Sequence, residues 1–146
     1  MVKLVREAKK DPSLQEFAAS LVQNLPQKDF RGEITAVFNF VRDRIRYLND
    51  VRDLETLRTP QKTLELRQGD CDDKSTLLAT LLECIGKTTR FKAVGVRNGP
   101  LSHVYVQVCV GFSDRGQHKW MSLDSTMPNP AGWQPPDITI QMDARV

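Results

Sequence analysis

Through Gly86 the apolar residues recur with the period of a helix, and beyond it with the period of a strand. Asp11 followed by Pro12 reads as an N-cap with proline in the first turn. Leu14, Phe17, Ala18, Leu21, Val22 and Leu25 then return at helical spacing as far as Pro26. A second helix begins near Asp29 and carries Ile34, Val37, Phe38, Val41 and Ile45 on one face, with Arg42 and Arg46 on others. The segment "NDVRDLETLRTP" lacks clean periodicity and reads as a loop. Thr59 and Pro60 next cap a short helical turn through Leu66, which Gly69 breaks. A third helix is expected from Asp70 to Ile85, with Leu77, Leu78, Leu81, Leu82 and Ile85 as its apolar face and Gly86 as its stop.

After Gly86, "RFKAVGV" reads as a strand, "RNGP" as a turn, "SHVYVQVCVGF" as a long alternating strand, "SDRG" as a hairpin turn and "HKWMSLDST" as the returning strand. The tail "MPNPAGWQPP" reads as an irregular wrap anchored by Trp133. Helices first and antiparallel strands after define an α+β class. A turn centred on Ser113 and Asp114 sets His103 opposite Asp124, Val104 opposite Leu123, Tyr105 opposite Ser122 and Val106 opposite Met121. The Val, Leu and Met side chains then form a core face, while His103, Tyr105, Gln107, Trp120 and Asp124 share the other. A slip of two positions keeps those faces, and a slip of one mixes them.

The 146 residues suit a single domain, 1–146, able to bury a core without staples. With 40% apolar and 27% charged residues the composition is that of a soluble globular protein, and no apolar run nears the roughly 18 residues of a membrane span. The N-terminal "MVKLVREAKKDP" carries no continuous apolar signal core, so the expected location is cytoplasmic, with no membrane partner. Cys71, Cys84 and Cys109 are an odd number at spacings unlike a disulfide framework, which suits a reducing compartment. The net charge of +3 is spread along the chain apart from Arg42, Arg44, Arg46 and the terminal lysines; no aromatic-basic motif or reading helix accompanies it, so no nucleic-acid partner is expected.

Two motifs can be set aside. "GKTT" at Gly86 resembles the end of a phosphate-binding loop, but Leu81 stands where that loop needs its first glycine. The cysteines and histidines include no short pair that would nucleate a zinc site, so no metal and no cofactor are expected. Cys71 is different. It falls in the first turn of a helix, where unpaired N–H groups favour thiolate, although Asp70, Asp72 and Asp73 oppose that effect. His103 and Asp124 on one strand face form an oriented general base, and a nucleophile is what such a pair lacks. Cys71, His103 and Asp124 are therefore the candidate catalytic residues. Cys84 lies mid-helix and Cys109 on a strand, neither beside a base; Cys84 is about 20 Å along the helix from Cys71, too far to resolve it in a redox couple.

The stretches "GDCDDKSTLLATLLECIG", "HVYVQV" and "WMSLDST", in that order, resemble the transglutaminase-like superfamily of papain-like thiol enzymes. Gly69 with Cys71, His103, and Trp120 with Asp124 match the family's motifs, and "RIRYLNDVRD" with "TPQKTLELRQGD" resembles the lead-in of bacterial and phage members. Tyr105 and Gln107 depart from the His-x-Trp-x-Glu of many members. The resemblance implies a papain-like core in which the nucleophile helix packs on an antiparallel sheet. It also implies attack of a thiolate on an amide carbonyl, giving a thioester. The resulting expectation is a cofactor-free cysteine enzyme, a peptidase, amidase or acyl transferase, acting on a peptide or protein amide. Its rival is a non-catalytic phage or prophage structural or accessory module on the same scaffold.

Overall fold

A computed structural model describes residues 1–49 and 57–146, so the stretch 50–56 of the expected loop lies outside the described residues. The elements run α1 (Val2–Ala8), α2 (Pro12–Val22), α3 (Phe30–Arg44), β1 (Arg46–Tyr47), α4 (Pro60–Leu66), β2 (Gln68–Gly69), α5 (Cys71–Cys84), β3 (Thr89–Val96), β4 (His103–Phe112), β5 (His118–Leu123) and β6 (Ile138–Arg145). The α+β class holds. Helix starts fall where the capping residues put them. Asp11, Asp29, Thr59 and Asp70 accept from the backbone N–H groups of Ser13, Gly32, Lys62 and Asp73 respectively. At the end of α5, Gly86 adopts φ 79°. Its N–H bonds to Glu83 O and that of Lys87 to Leu82 O, which satisfies the last carbonyls.

Two expectations need correction. α4 ends at Arg67, which takes the left-handed conformation (φ 55°). Gly69 is not the breaker; with Gln68 it pairs in parallel with Arg46 and Tyr47. The stretch 127–136 is irregular as expected, and beyond it lies a strand that the reading did not include, β6, antiparallel along β3. Its own alternation, Ile138, Ile140, Met142 and Ala144, carries the strand signal. The hairpin register is also shifted by two positions, with Val106 opposite Leu123 and Val108 opposite Met121.

That shift has a local cause. Ser113 pairs with Gln117, so the loop is Asp114, Arg115 and Gly116, with Gly116 at φ 74°. A three-residue loop by itself would rotate the returning strand by one position and mix its faces. A bulge between Cys109 and Gly111 inserts one extra residue and restores the alternation. α1 is a further element that the pattern does not disclose, because seven residues with only Val5 and Ala8 buried are too few to display a period.

The main sheet has the order β5-β4-β3-β6. Against it lies α5, buried without interruption from Asp73 to Leu82 and flanked by α1, α2, α3 and α4. Val37, Phe38 and Val41 of α3, Leu77, Leu78, Leu81 and Leu82 of α5, and Val106, Val108 and Leu123 of the sheet fill the core between them. Among the described residues no helix is long and apolar enough to cross a membrane.

The turn that delivers β4 depends on a close approach at Gly95. A Cβ there would lie 2.5 Å from the carbonyl oxygens of Gly99 and Pro100. Gly95→Ala is expected to destabilise the fold by about 1–3 kcal/mol through forced backbone displacement. Urea denaturation measures this, and an unchanged midpoint would show that the turn moves freely.

Candidate active site

The candidate residues lie at element ends, where side chains can reach one another. Cys71 opens α5, His103 opens β4, and Asp124 follows the last residue of β5. Ser75, one turn beyond Cys71, donates its hydroxyl to the Val104 carbonyl at 3.2 Å and so ties the start of α5 to the start of β4. His103 Nε2 lies 2.7 Å from Asp124 Oδ2. Asp124 lies one residue past the last β4–β5 pair, Val106 with Leu123, and its side chain reaches the imidazole at the head of β4. The other carboxylate oxygen accepts from the Thr126 N–H at 3.1 Å and from its hydroxyl at 2.7 Å. Both oxygens of this buried group are therefore held in place.

Cys71 lies close enough to the same imidazole to raise its pKa. Nε2 is engaged with Asp124, which leaves Nδ1 as the ring nitrogen free of that carboxylate. Burial disfavours the charged ring, but the hydrogen bond to Asp124, the bond to Cys71 and the charge of both outweigh it and push the His103 pKa up to about 9. Burial likewise works against the Asp124 carboxylate, yet the His103 bond and charge together with the Thr126 bonds hold its pKa below the usual range. The two directions agree and describe an imidazolium–carboxylate pair.

The aspartates around Cys71 are differently engaged. Asp70 caps the helix. Asp73, fully buried, accepts from the Arg58 backbone N–H and guanidinium, both at 2.9 Å; burial nonetheless raises its pKa. Asp72 Oδ1 lies 4.0 Å from Cys71 Sγ. The neighbouring Lys74 is buried and donates to the carbonyls of Ile45 at 2.6 Å and Arg42 at 3.3 Å, closing the C-terminus of α3; burial lowers its pKa to about 8. Cys84 faces the Lys9 carbonyl, with burial, Asp11 and Glu83 pushing its pKa up to about 11. Cys109 bonds to Gly111 O at the bulge. Neither joins His103.

Sequence reasoning missed the surroundings of this cluster. A pocket of about 410 Å³ opens beside His103 and Asp124, with Tyr47, Val94, Val96, Met127, Trp133 and Pro135 among its walls. One wall belongs to the segment 127–137, which the Gly132 N–H fastens to Ser122 O at 2.7 Å. Ala131 of this segment packs on the core, whereas Trp133, expected as its anchor, is half-buried and faces the pocket. Beneath the segment, Gln107 bridges Ser122 and Arg90. No spacing rule links Tyr47 to Trp133, so no sequence motif reveals the pocket.

A helix carrying a thiol at its N-terminus, packed on an antiparallel sheet that presents an imidazole and a carboxylate, defines a papain-like fold. The chain belongs to the transglutaminase-like superfamily, whose family model matches residues 15–125. Among solved structures, LapG of Legionella pneumophila in its calcium-bound form superposes with a TM-score of 0.65 at 16% identity, covering 94% of this chain and 79% of LapG. A Cytophaga hutchinsonii protein provisionally named a cysteine protease gives 0.62 at 16% identity, covering 92% of this chain and 51% of that one. A Parabacteroides distasonis protein provisionally named a protease gives 0.63 at 14% identity, covering 88% and 26%. The chain thus spans about half of the length of the Cytophaga protein and about a quarter of that of the Parabacteroides protein. A search of curated proteins returns no match. With respect to LapG's calcium, the described residues contain no group of three or more His, Cys, Asp or Glu arranged to hold a metal ion.

The His103 proton gives a direct test. The folded state holds it more tightly than the roughly 6.5 of an unperturbed imidazole, so its stabilisation is complete below that value and is lost as pH rises to about 9. NMR titration of the His103 ring is expected to give a midpoint near 9. Asp124→Asn is expected to lower it markedly; a midpoint insensitive to that change would mean that Asp124 does not hold the proton.

Proposed function

We propose that the chain is a cysteine-dependent enzyme acting on amide bonds, with Cys71 as nucleophile, His103 as general base and then acid, and Asp124 as the group that orients the ring. The observation that supports this reading is the contact of the His103 ring with the Asp124 carboxylate at 2.7 Å, with Cys71 near enough to raise the pKa of the same ring. In this chemistry the His103 imidazolium holds at Nδ1 the proton given up by the thiol, and the thiolate sulfur attacks the amide carbonyl carbon. The tetrahedral adduct places its negative oxygen near the Cys71 backbone N–H, a first-turn donor without a helical acceptor. Collapse breaks the C–N bond, and the departing amine takes its proton from His103, leaving a thioester. Water, giving up a proton to the ring, attacks the thioester and releases the acid and the thiol. An amine in place of water would give acyl transfer; hydrolysis is the reading taken here. The transglutaminase-like fold and the provisional protease names of two neighbours support a peptide or protein substrate.

Thiol reactivity tests this without knowledge of the substrate. At neutral pH Cys71 is expected to react with iodoacetamide at least about tenfold faster than Cys84, whose thiol is held protonated, and faster than Cys109. Mass spectrometry of the labelled peptides gives the rates. His103→Ala should bring Cys71 down to the rate of a model thiol. If Cys71 in the unaltered protein reacts no faster than a model thiol, the chain is a binding module on an enzyme scaffold.

A further inference from the structure

On the far side of Thr126 and Met127 from the pocket beside His103 lies a second depression, of about 480 Å³, and Tyr47, Thr126 and Met127 line both. The two differ in chemistry. The first is walled mainly by aromatic, aliphatic and proline side chains. The second is lined by Arg42, Arg44 and Arg46 from the end of α3 and β1 and by Lys74 from α5, with Asp43 as its one carboxylate among the described residues. Asp43 is taken by Arg42 at 2.7 Å, and Lys74 is occupied with backbone carbonyls. Arg44 and Arg46 are exposed and have no ion-pair partner among the described residues. The depression thus carries an excess of positive charge.

A second, independent feature points to a ligand there. Ser125, which follows Asp124, is 2% exposed, lines this depression, and its hydroxyl has no hydrogen-bond partner. A buried hydroxyl left unpaired costs about 1–3 kcal/mol, and an anionic group seated in this depression would meet the positive charge of Arg44 and Arg46 on its wall. The turn 124–126 therefore faces both ways: Asp124 holds the imidazole on one side, and Ser125 meets the cationic depression on the other.

We infer that the substrate of this cleft is a peptide segment in which a bulky apolar side chain, seated beside His103, adjoins an Asp or Glu whose carboxylate enters the Arg44–Arg46–Ser125 depression. The inference rests on the reading of Cys71 as nucleophile only for what happens to the bound peptide, not for its binding. A free phosphate would satisfy the cations but would leave the apolar pocket empty. The shared wall of Tyr47, Thr126 and Met127 favours one ligand that carries both features.

The test is a binding titration of the Cys71→Ala protein, followed by calorimetry and NMR, with N-acetylated, C-amidated dipeptides in both orders, Asp-Phe and Phe-Asp. In at least one order, exchanging Asp for Asn, or Phe for Ala, is expected to weaken binding roughly tenfold, the scale of one charge-assisted hydrogen bond or one buried apolar side chain. Arg44→Glu combined with Arg46→Glu should abolish the Asp-over-Asn preference and leave that for Phe over Ala, while Trp133→Ala should do the reverse. Equal affinity for Asp and Asn peptides overturns the inference. So does a preference untouched by the arginine changes, and so does inorganic phosphate binding alone while no peptide saturates at about 10 mM. Iodoacetamide labelling of the unaltered protein keeps the two readings apart. A fast Cys71 with no dipeptide selectivity removes only the bipartite cleft; a sluggish Cys71 with intact selectivity removes only the chemistry.

Discussion

The candidate site depends on a helix with no wet face along its middle. α5 is buried from Asp73 to Leu82, and that stretch includes a carboxylate and an ammonium. Charges removed from water must be met by partners, or the fold loses several kcal/mol. Here the partners lie in neighbouring segments. Lys74 reaches the last carbonyls of α3, and Asp73 takes the backbone and guanidinium of Arg58 on the approach to α4. Such pairs add little net stability compared with a well-packed apolar core. What they do is fix position: with both in place, the first turn of α5 has one location relative to α3, α4 and β1.

From that turn the site follows in few steps. Ser75 hooks the start of β4, so the thiol and the imidazole begin from elements already tied one turn away. Asp124 stands where β5 leaves its ladder, free of strand pairing but held by Thr126, and its carboxylate meets the ring. The candidate residues sit at the ends of elements, where a side chain has room, while the middles of the same elements supply the rigid core.

Much of this was legible in the residues. His103 at the head of an alternating strand and Asp124 at the tail of the next could be set on one face from parity alone, since parity survives a register slip of two; Cys71, on a helix, was joined to them by its place at a helix start. The actual register could not be read, because it is the joint product of a three-residue loop closed by a left-handed Gly116 and a bulge after Cys109, two local deviations that cancel in their effect on the faces. α1 was too short to show a period. β6 had its alternation but followed a proline-rich run that reads as an irregular wrap. Tyr47, Ser125 and Trp133 become neighbours of the site only through tertiary packing, and no one-dimensional pattern joins them.

The aspartates beside the cysteine pose the sharpest physical question, since three carboxylates at a helix start work against a thiolate. The structure distributes their charge unequally. Asp70 is turned to the Asp73 N–H as a cap, and Asp73 is buried against Arg58, so its field is largely compensated before it reaches the sulfur. Asp72 stays at 4.0 Å from Sγ. On the other side stands an imidazole whose proton is stabilised by a fully engaged carboxylate. In the proposed chemistry the His103 proton is also the one delivered to the leaving amine. The group that readies the nucleophile and the group that completes the bond cleavage are then the same ring, and Asp124 acts on both steps through it.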